Sequence, residues 1–372
     1  MATYYVRTDG SNGASGANDS ADPATGAWAD VGYAASQATT AGDIVYVKSG
    51  TYTALTTSTA NVAGGPCHLT ANTALRFEGY NSSPGDGHIA DLGANKPVID
   101  VGAITAINVF VLDGSFDANQ QVVRNIKVDG QSNATVNGFV VSNGYCGEHV
   151  LEFCETIDCV WGFAKLTGGL GVCISCKTVN GTDGYSDVTA IACEASGATR
   201  YGFYMAGSQA TVQNSLARDC NVGFFLNAAY NAPACLNCTA EASTSHGFDP
   251  SYAMNVFVNC LATNNGGYGF DTKSDQQSLI NCAGYNNTSG NHAHTPDHHD
   301  FTALTGDPYE AVGSDDYRPN NTAGAGADLR ATGSAIPSQT THRDIGAVQH
   351  TDPAGGGGGG GRLVGLGGGM IG

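Results

Sequence analysis

Along the middle of the chain, apolar and polar positions alternate in short runs that recur at a nearly fixed interval. Glycine followed by an aromatic appears as Gly162-Phe163, Gly184-Tyr185, Gly202-Phe203, Gly223-Phe224, Gly247-Phe248 and Gly269-Phe270, at steps of 22, 18, 21, 24 and 22 residues. A second ladder, Cys154, Cys176, Cys193, Ser215, Cys238, Cys260 and Cys282, keeps the same period. Two residues ahead of its last six rungs stand Ile174, Ile191, Gln213, Leu236, Val258 and Ile280, the alternation of a half-buried strand. Asn214, Asn237, Asn259 and Asn281 directly precede the later rungs, where amides at one register can bond along a stack. This period is too short for paired-helix repeats and lacks the leucine-rich pattern. It predicts one coil of a parallel β-solenoid per repeat, coils about 4.8 Å apart and right-handed by the usual crossover rule.

Less regular strands are legible upstream at 43–48, 74–78, 97–101, 108–112, 122–128 and 137–141, so the solenoid is expected to start near residue 43. Before it, 27–39 has helical spacing through Trp28, Val31 and Ala35, which predicts a helix covering the open end. The glycine before each aromatic fits a bend needing positive φ or a close backbone approach, and the aromatic then fills the interior. The next position, Ala164, Ser186, Tyr204, Phe225, Asp249 and Asp271, should therefore face outward.

Composition sharpens this picture. With 53 glycines and only 13% charged residues among 372, an all-helical protein is excluded, while 41% hydrophobic residues suffice for a sizeable core. The net charge of −18 and 15 basic residues exclude a nucleic-acid partner. No apolar run is long enough to predict a membrane span, and MATYYVRTDG lacks the basic and apolar regions of a secretion signal. The pairs Cys173/Cys176 and Cys235/Cys238 have zinc-like spacing. Residues three apart on one strand face opposite sides, however, and Ala190, Val212, Phe257 and Leu279 occupy the matching slot in other coils. Directly stacked cysteines also stand too far apart, at about 4.8 Å, for ordinary disulfides. Buried free thiols are expected, as in a chain folded in a reducing cytoplasm.

The opening TYYVRTDGSNGASG, the Trp28 segment and AGDIVYVKSGTYT resemble the start of pectate-lyase-like right-handed parallel β-helix proteins. The stretch LTGDPYEAVGSDDYRPNNTAGAGADLRATGSAIP with RDIGAVQ resembles the closing segment of solenoids in phage particles and bacterial surface proteins. The resemblance implies an all-β right-handed parallel β-helix with an N-terminal helical cap. The expected layout is a strand and capping helix over 1–42, the β-helix over 43–300, a closing segment over 301–352 and a Gly-rich assembly tail over 353–372. It also implies a spike- or fibre-like phage virion protein, commonly homotrimeric, made in the host cytoplasm and joined to other virion proteins through the tail. A bacterial extracellular or cell-surface solenoid is the alternative location. Activity does not follow from this fold, which hosts lyases, hydrolases, binding modules and inert spikes.

Candidate chemistry lies on the outward row. Asp249 and Asp271 would sit at one register of adjacent coils, with Lys273 two residues along the same face. Two stacked carboxylates repel unless a proton, a cation or a ligand intervenes, which makes them the candidate catalytic pair. Tyr204 and Phe225, with Trp161, Tyr201 and Tyr268 ahead of the glycines, offer rings to a glycan or cell-surface polysaccharide. The other reading is turn aspartates and packing aromatics. If the chain is an enzyme, a glycoside hydrolase suits it better than a lyase, since no DxxxD-type acidic cluster stands beside an arginine. No cofactor is required. A divalent cation at His292, His294, His298 and His299 is the alternative to a solvated loop closing the last coil.

Overall fold

The computed structural model describes residues 1–53, 67–69, 74–87, 90–102, 108–113, 120–131, 135–142, 148–166, 170–206, 210–227, 233–251, 255–273, 277–294, 298–312, 316–330 and 344–348. The architecture is an all-β, right-handed parallel β-helix in which each coil contributes to three strand stacks. Two compact units make up the chain, Met1–Val188 and Thr189–Gly372.

In the first unit, one stack runs through Thr3–Val6, Ile44–Lys48, Arg76–Tyr80, Val122–Arg124, Glu148–Glu152 and Leu170–Ile174. Parallel pairing of Thr3–Val6 with Ile44–Lys48 brings strand stacking ahead of residue 43. A further stack, through Asn108–Asp113, Asn137–Ser142, Trp161–Lys165 and the end of Lys177–Ser186, carries an interior column, Phe110, Phe139, Phe163 and Tyr185, whose rings lie 5.1, 5.2 and 5.0 Å apart. The predicted helix is shorter than its pattern, Val31–Gln37, because Asp30 takes an extended conformation and its side chain accepts the Tyr33 N–H as N-cap. Trp28 lies outside the helix. Its backbone bridges Val6, its indole N–H donates to Ala14 O, and its ring stacks on Tyr4.

In the second unit, the first stack comprises Thr189–Ile191, Thr211–Gln213, Ala234–Leu236, Val256–Val258 and the start of Ser278–Tyr285. The second contains the start of Glu194–Met205, Leu216–Arg218, Thr239–Glu241, Leu261–Thr263 and the end of Ser278–Tyr285. The third contains the end of Glu194–Met205, Val222–Leu226, Phe248–Pro250, Tyr268–Phe270 and Gly290–His292. Phe203, Phe224, Phe248 and Phe270 are fully buried, with successive ring centroids 4.7 Å apart.

The corners are made differently from expectation. Positive φ belongs to Asn214, Asn237, Asn259 and Asn281, and again five residues later to Asp219, Ala242, Asn264 and Asn286, rather than to the repeat glycines. Asparagine tolerates this left-handed conformation, and its side chain continues the stack. Asn237 donates to Asn214 at 3.0 Å, and Asn259 to Asn237 at 2.9 Å. The glycines serve close approach instead. A Cβ on Gly202, Gly223 or Gly247 would stand 2.7, 2.6 or 2.7 Å from the carbonyl oxygen of the next repeat glycine.

The same corner corrects the reading of the cysteine pairs. Asn237 turns the chain between Cys235 and Cys238, so both thiols point inward, with Cys235 in register between Val212 and Phe257. Among the described residues, eleven cysteines are buried with free thiols. Cys238 and Cys260 donate to Val212 O and Cys235 O at 3.4 and 3.3 Å. Each thus reaches the carbonyl of the inward-facing strand residue one coil earlier.

The closing segment packs along the flank of the second unit. Leu304, Tyr309, Tyr317, Leu329, Ile345, Ala347 and Val348 cluster with Leu216, Leu261 and Ala283 of the second stack. Backbone N–H groups of Gly346 and Ala347 donate to Asn259 O and Thr239 Oγ1, each at 2.8 Å. Beneath it lies Glu241, which accepts hydrogen bonds from Thr263 and from Asn264 (3.0 Å), while Thr263 Oγ1 meets the Tyr309 hydroxyl at 2.8 Å. The Gly-rich 353–372 lies outside the described residues.

Burial raises the Glu241 carboxyl above its ordinary value, against the lowering by Thr263 and Asn264 and with a further push from Asp307 and Asp219. A carboxyl whose folded pKa is raised contributes stability that is complete below its unfolded value and is lost as pH rises through the folded one. Glu241→Gln is therefore expected to raise the urea midpoint at pH 7 while leaving it nearly unchanged at pH 4. A destabilisation at pH 7 that shrinks at pH 4 would mean that the ionised carboxylate is what the network holds.

Candidate functional site

The outward row has the register that the repeat implies. In the first unit Ala164 pairs with Ser186, and in the second Tyr204 pairs with Phe225 and Phe225 with Asp249. Asp271 directly follows Phe270, the partner of Phe248, and its N–H donates to Phe248 O at 2.8 Å. Strand alternation produces the row: the aromatic before each member is fully buried, Tyr204, Phe225 and Asp249 are half-buried on the opposite side, and Ala164, Ser186 and Asp271 are themselves buried.

Two chemically distinct halves result. Tyr201, Tyr204 and Phe225 are half-buried and mutually stacked, with centroids 5.3, 4.4 and 5.7 Å apart. The Arg200 guanidinium stands 5.1 Å from the Tyr201 ring centroid and 5.8 Å from that of Tyr204. One coil further on, Lys273 Nζ hydrogen-bonds Asp271 and lies 3.5 Å from Asp249 Oδ1. That Asp249 oxygen is buried and receives no aligned hydrogen bond among the described residues.

The sequence reading missed His246, which completes this half. Its Nδ1 accepts the Tyr268 N–H at 3.1 Å, so Nε2 carries the ring hydrogen and faces Asp271 Oδ2 at 3.6 Å. The Tyr268 ring lies parallel to it at 6.1 Å. Trp161 belongs to the first unit, on Trp161–Lys165, opposite Asp183.

The two acids differ in their surroundings. Burial raises the Asp249 carboxyl above its ordinary value; Lys273 opposes this, and the like charge of Asp271 adds to it. Burial works against the Lys273 ammonium, but its hydrogen bond to Asp271 and the two carboxylate charges hold its pKa above the ordinary value. The cluster therefore sets a buried carboxyl of raised pKa beside a second carboxyl that is hydrogen-bonded to the Lys273 ammonium.

The histidine-rich stretch is another coil rather than a closing loop: Gly290–His292 pairs with Tyr268–Phe270, and His298–Ala303 with Ser278–Tyr285. His292 meets the Phe301 ring edge-on at 5.5 Å, and His294 is exposed. The side chains of His298 and His299 lie outside the described residues. Among the described residues no group of three or more His, Cys, Asp or Glu could hold a metal ion, and no helix is long and apolar enough to cross a membrane.

No family model matches the chain, and no curated protein sequence matches it. Among solved structures, pectate lyase Pel9A is similar at a TM-score of 0.68 with 16% identity, over 94% of this chain and 97% of that one. A rhamnogalacturonan lyase is similar at 0.45 with 15% identity, over 75% and 84% of the two chains. ORF18 of Geobacillus virus E2 is similar at 0.35 with 15% identity, over 73% and 57%. The chain thus has the pectate-lyase-like β-helix fold.

Proposed function

We propose that this chain is a phage virion protein whose β-helix presents a glycan-binding surface, formed by Tyr201, Tyr204 and Phe225 beside Asp249, Asp271, Lys273 and His246. The observation that carries the reading is the adjacency, on one outward face, of three stacked and half-exposed rings and a hydrogen-bonding charged cluster. Rings supply flat apolar area to the C–H faces of a sugar, and the charged groups supply donors and acceptors to its hydroxyls. With a net charge of −18, neutral glycans are favoured over strongly anionic ones. Buried free thiols suit assembly in a reducing cytoplasm, and the closing segment resembles those of phage particles.

A second reading, cleavage of the bound polysaccharide, is favoured by the division of the two acids. Asp249, whose carboxyl pKa is raised by burial, is placed to give a proton to the leaving oxygen, with Asp271, hydrogen-bonded by Lys273, as its partner. Because both reach the same ammonium nitrogen, these oxygens stand closer than the roughly 6.5–9.5 Å separation used for inversion, so cleavage would retain anomeric configuration.

One experiment serves both readings. The protein is titrated with a panel of neutral surface polysaccharides by calorimetry, with products read by reducing-end assay. Tyr204→Ala combined with Phe225→Ala is expected to weaken binding by about tenfold or more, equivalent to roughly 1.4 kcal/mol. Binding unchanged in that variant would refute the surface. Reducing ends that appear with wild type and vanish with Asp249→Asn would select the catalytic reading. Location is tested by whether the coding gene stands among capsid and tail genes or among export genes.

A further inference from the structure

Four of the 11 prolines follow an aspartate, at Asp22-Pro23, Asp249-Pro250, Asp307-Pro308 and Asp352-Pro353. Such a bond can be broken from within. The carboxyl oxygen attacks the aspartate's own backbone carbonyl carbon through a five-membered ring, and proline, bonded as a tertiary amide, leaves as a basic secondary amine. What distinguishes the bonds is how each is held. Asp22 Oδ1 is occupied by the N–H groups of Ala24 and Thr25 and by the Thr25 hydroxyl, at 2.9, 2.7 and 3.1 Å. Asp249 Oδ1 is buried against Lys273 Nζ, 3.5 Å away. Asp352 lies outside the described residues. Asp307 is exposed to water, and Pro308 behind it is buried. Its Oδ1 accepts the Tyr309 N–H at 3.1 Å, which folds the carboxyl back towards its own peptide bond. Asn320 completes the arrangement. Its Oδ1 accepts the N–H groups of Thr322 and Gly326 at 2.9 and 3.2 Å, which fixes the orientation of the amide. Its Nδ2 therefore donates to the Asp307 carbonyl oxygen, at 2.8 Å, and to Tyr309 O, at 3.0 Å. The backbone is pinned on both sides of the bond, Thr305 N–H donating to Gly324 O at 2.8 Å and Asn320 N–H to Pro308 O at 2.7 Å.

We propose that the chain cleaves itself between Asp307 and Pro308, with Asp307 as nucleophile and Asn320 as the donor to the oxyanion. Asp307 Oδ2 bonds to the Asp307 backbone carbonyl carbon, and the carbonyl oxygen gains negative charge where the Asn320 amide already points. The C–N bond to Pro308 then breaks as the carboxyl's proton passes to the proline nitrogen. One water opens the resulting cyclic anhydride to the two carboxyls of a C-terminal Asp307, so water is the only co-reactant. Holding nucleophile and carbonyl in one turn makes the attack intramolecular and oriented. Cleavage leaves the pieces together: Tyr309–Ala311 still pairs with Asp316–Pro319, and Tyr309, Tyr317, Leu329 and Ile345 still pack with Leu216 and Leu261. The β-helix with its proposed glycan surface then ends at Asp307, and 308–372 remains as a separate, bound polypeptide.

The test is intact mass, under denaturing conditions, of the purified full chain incubated in mildly acidic buffer. Two fragments are expected, 1–307 and 308–372, whose masses sum to that of the chain plus one water. Asp307→Asn keeps an acceptor for the Tyr309 N–H but removes the nucleophile, and Pro308→Ala removes the leaving amine; each should abolish the fragments. Asn320→Ala should slow cleavage by about a hundredfold, the usual loss for one oxyanion donor. Because that variant also loosens the turn, urea-unfolded wild type supplies a second measurement, and there the bond should break at least about tenfold more slowly than in the folded chain. A folded wild type that stays intact would overturn the proposal. Cleavage that persists in Asp307→Asn, that falls equally on Asp22-Pro23, or that runs as fast in the unfolded chain would do the same.

Discussion

Phe248→Ala is expected to cost about 3–5 kcal/mol of stability, the range for removing a fully buried aromatic. Its ring is inaccessible to solvent, stacked at 4.7 Å on both Phe224 and Phe270, and met edge-on by Phe257 at 5.5 Å. Alanine leaves a void between two rings that cannot close up, because backbone hydrogen bonds between coils fix their spacing. In a solenoid each coil is held chiefly by its neighbours, so the gap weakens two interfaces together. Phe248→Leu should cost far less, since most of the volume is kept. The urea midpoint checks this. A loss below about 1 kcal/mol for alanine would mean that the aromatic column is not the core of this unit.

What was legible in the sequence was whatever stacking constrains in every coil. Gly-aromatic pairs and the Cys ladder recur because each coil repeats one steric problem, a close backbone approach at the glycine and a slot beside a carbonyl for the thiol. Gly138-Phe139 obeys the same rule and extends the column upstream, where Phe139 stacks on Phe110 and Phe163. Asn214 and its successors were legible as an amide ladder. Their second role, taking positive φ at the corner, leaves no separate mark, because Ala192 and Ala242 adopt the same conformation without an amide. Packing of the closing segment on Leu216 and Leu261 was illegible for the opposite reason: it occurs once, and no period announces it.

Within the candidate site, the outward row followed from counting, since register and strand alternation fix it. His246 did not. Its column reads Tyr201, Val222, His246 and Tyr268 in the position before each glycine, and a reading that looked there for aromatic rings passed over an imidazole. Only the fold shows that its Nδ1 is taken by the Tyr268 N–H, which aims Nε2 at Asp271. A histidine in the position preceding a repeat glycine, one coil before an outward acid, was the available signal.

Gly247→Ala should be as informative as the aromatic deletion, because it strikes fold and site together. The added Cβ would meet Gly269 O at 2.7 Å, Asn265 Nδ2 at 2.9 Å and the Ala240 Cβ at 3.1 Å. A carbonyl oxygen held in the stack cannot yield without shifting the next coil, so the loss belongs at the upper end of the roughly 1–3 kcal/mol usual for overpacking. Gly247 also joins His246 to Phe248 and Asp249, and any relief of the clash moves His246 away from Asp271 and Asp249 away from Lys273. Glycan binding should therefore fall even at temperatures where the variant remains folded. Gly13→Ala is the control: its nearest atom would be Ser11 Oγ at 3.5 Å, ordinary contact, and its effect should stay within about 0.5 kcal/mol. If Gly247→Ala matches that control in thermal midpoint, the close approach between coils is not what the repeat glycine provides. If it is destabilised but binds glycan as wild type does, the histidine and acid cluster lies outside the binding surface.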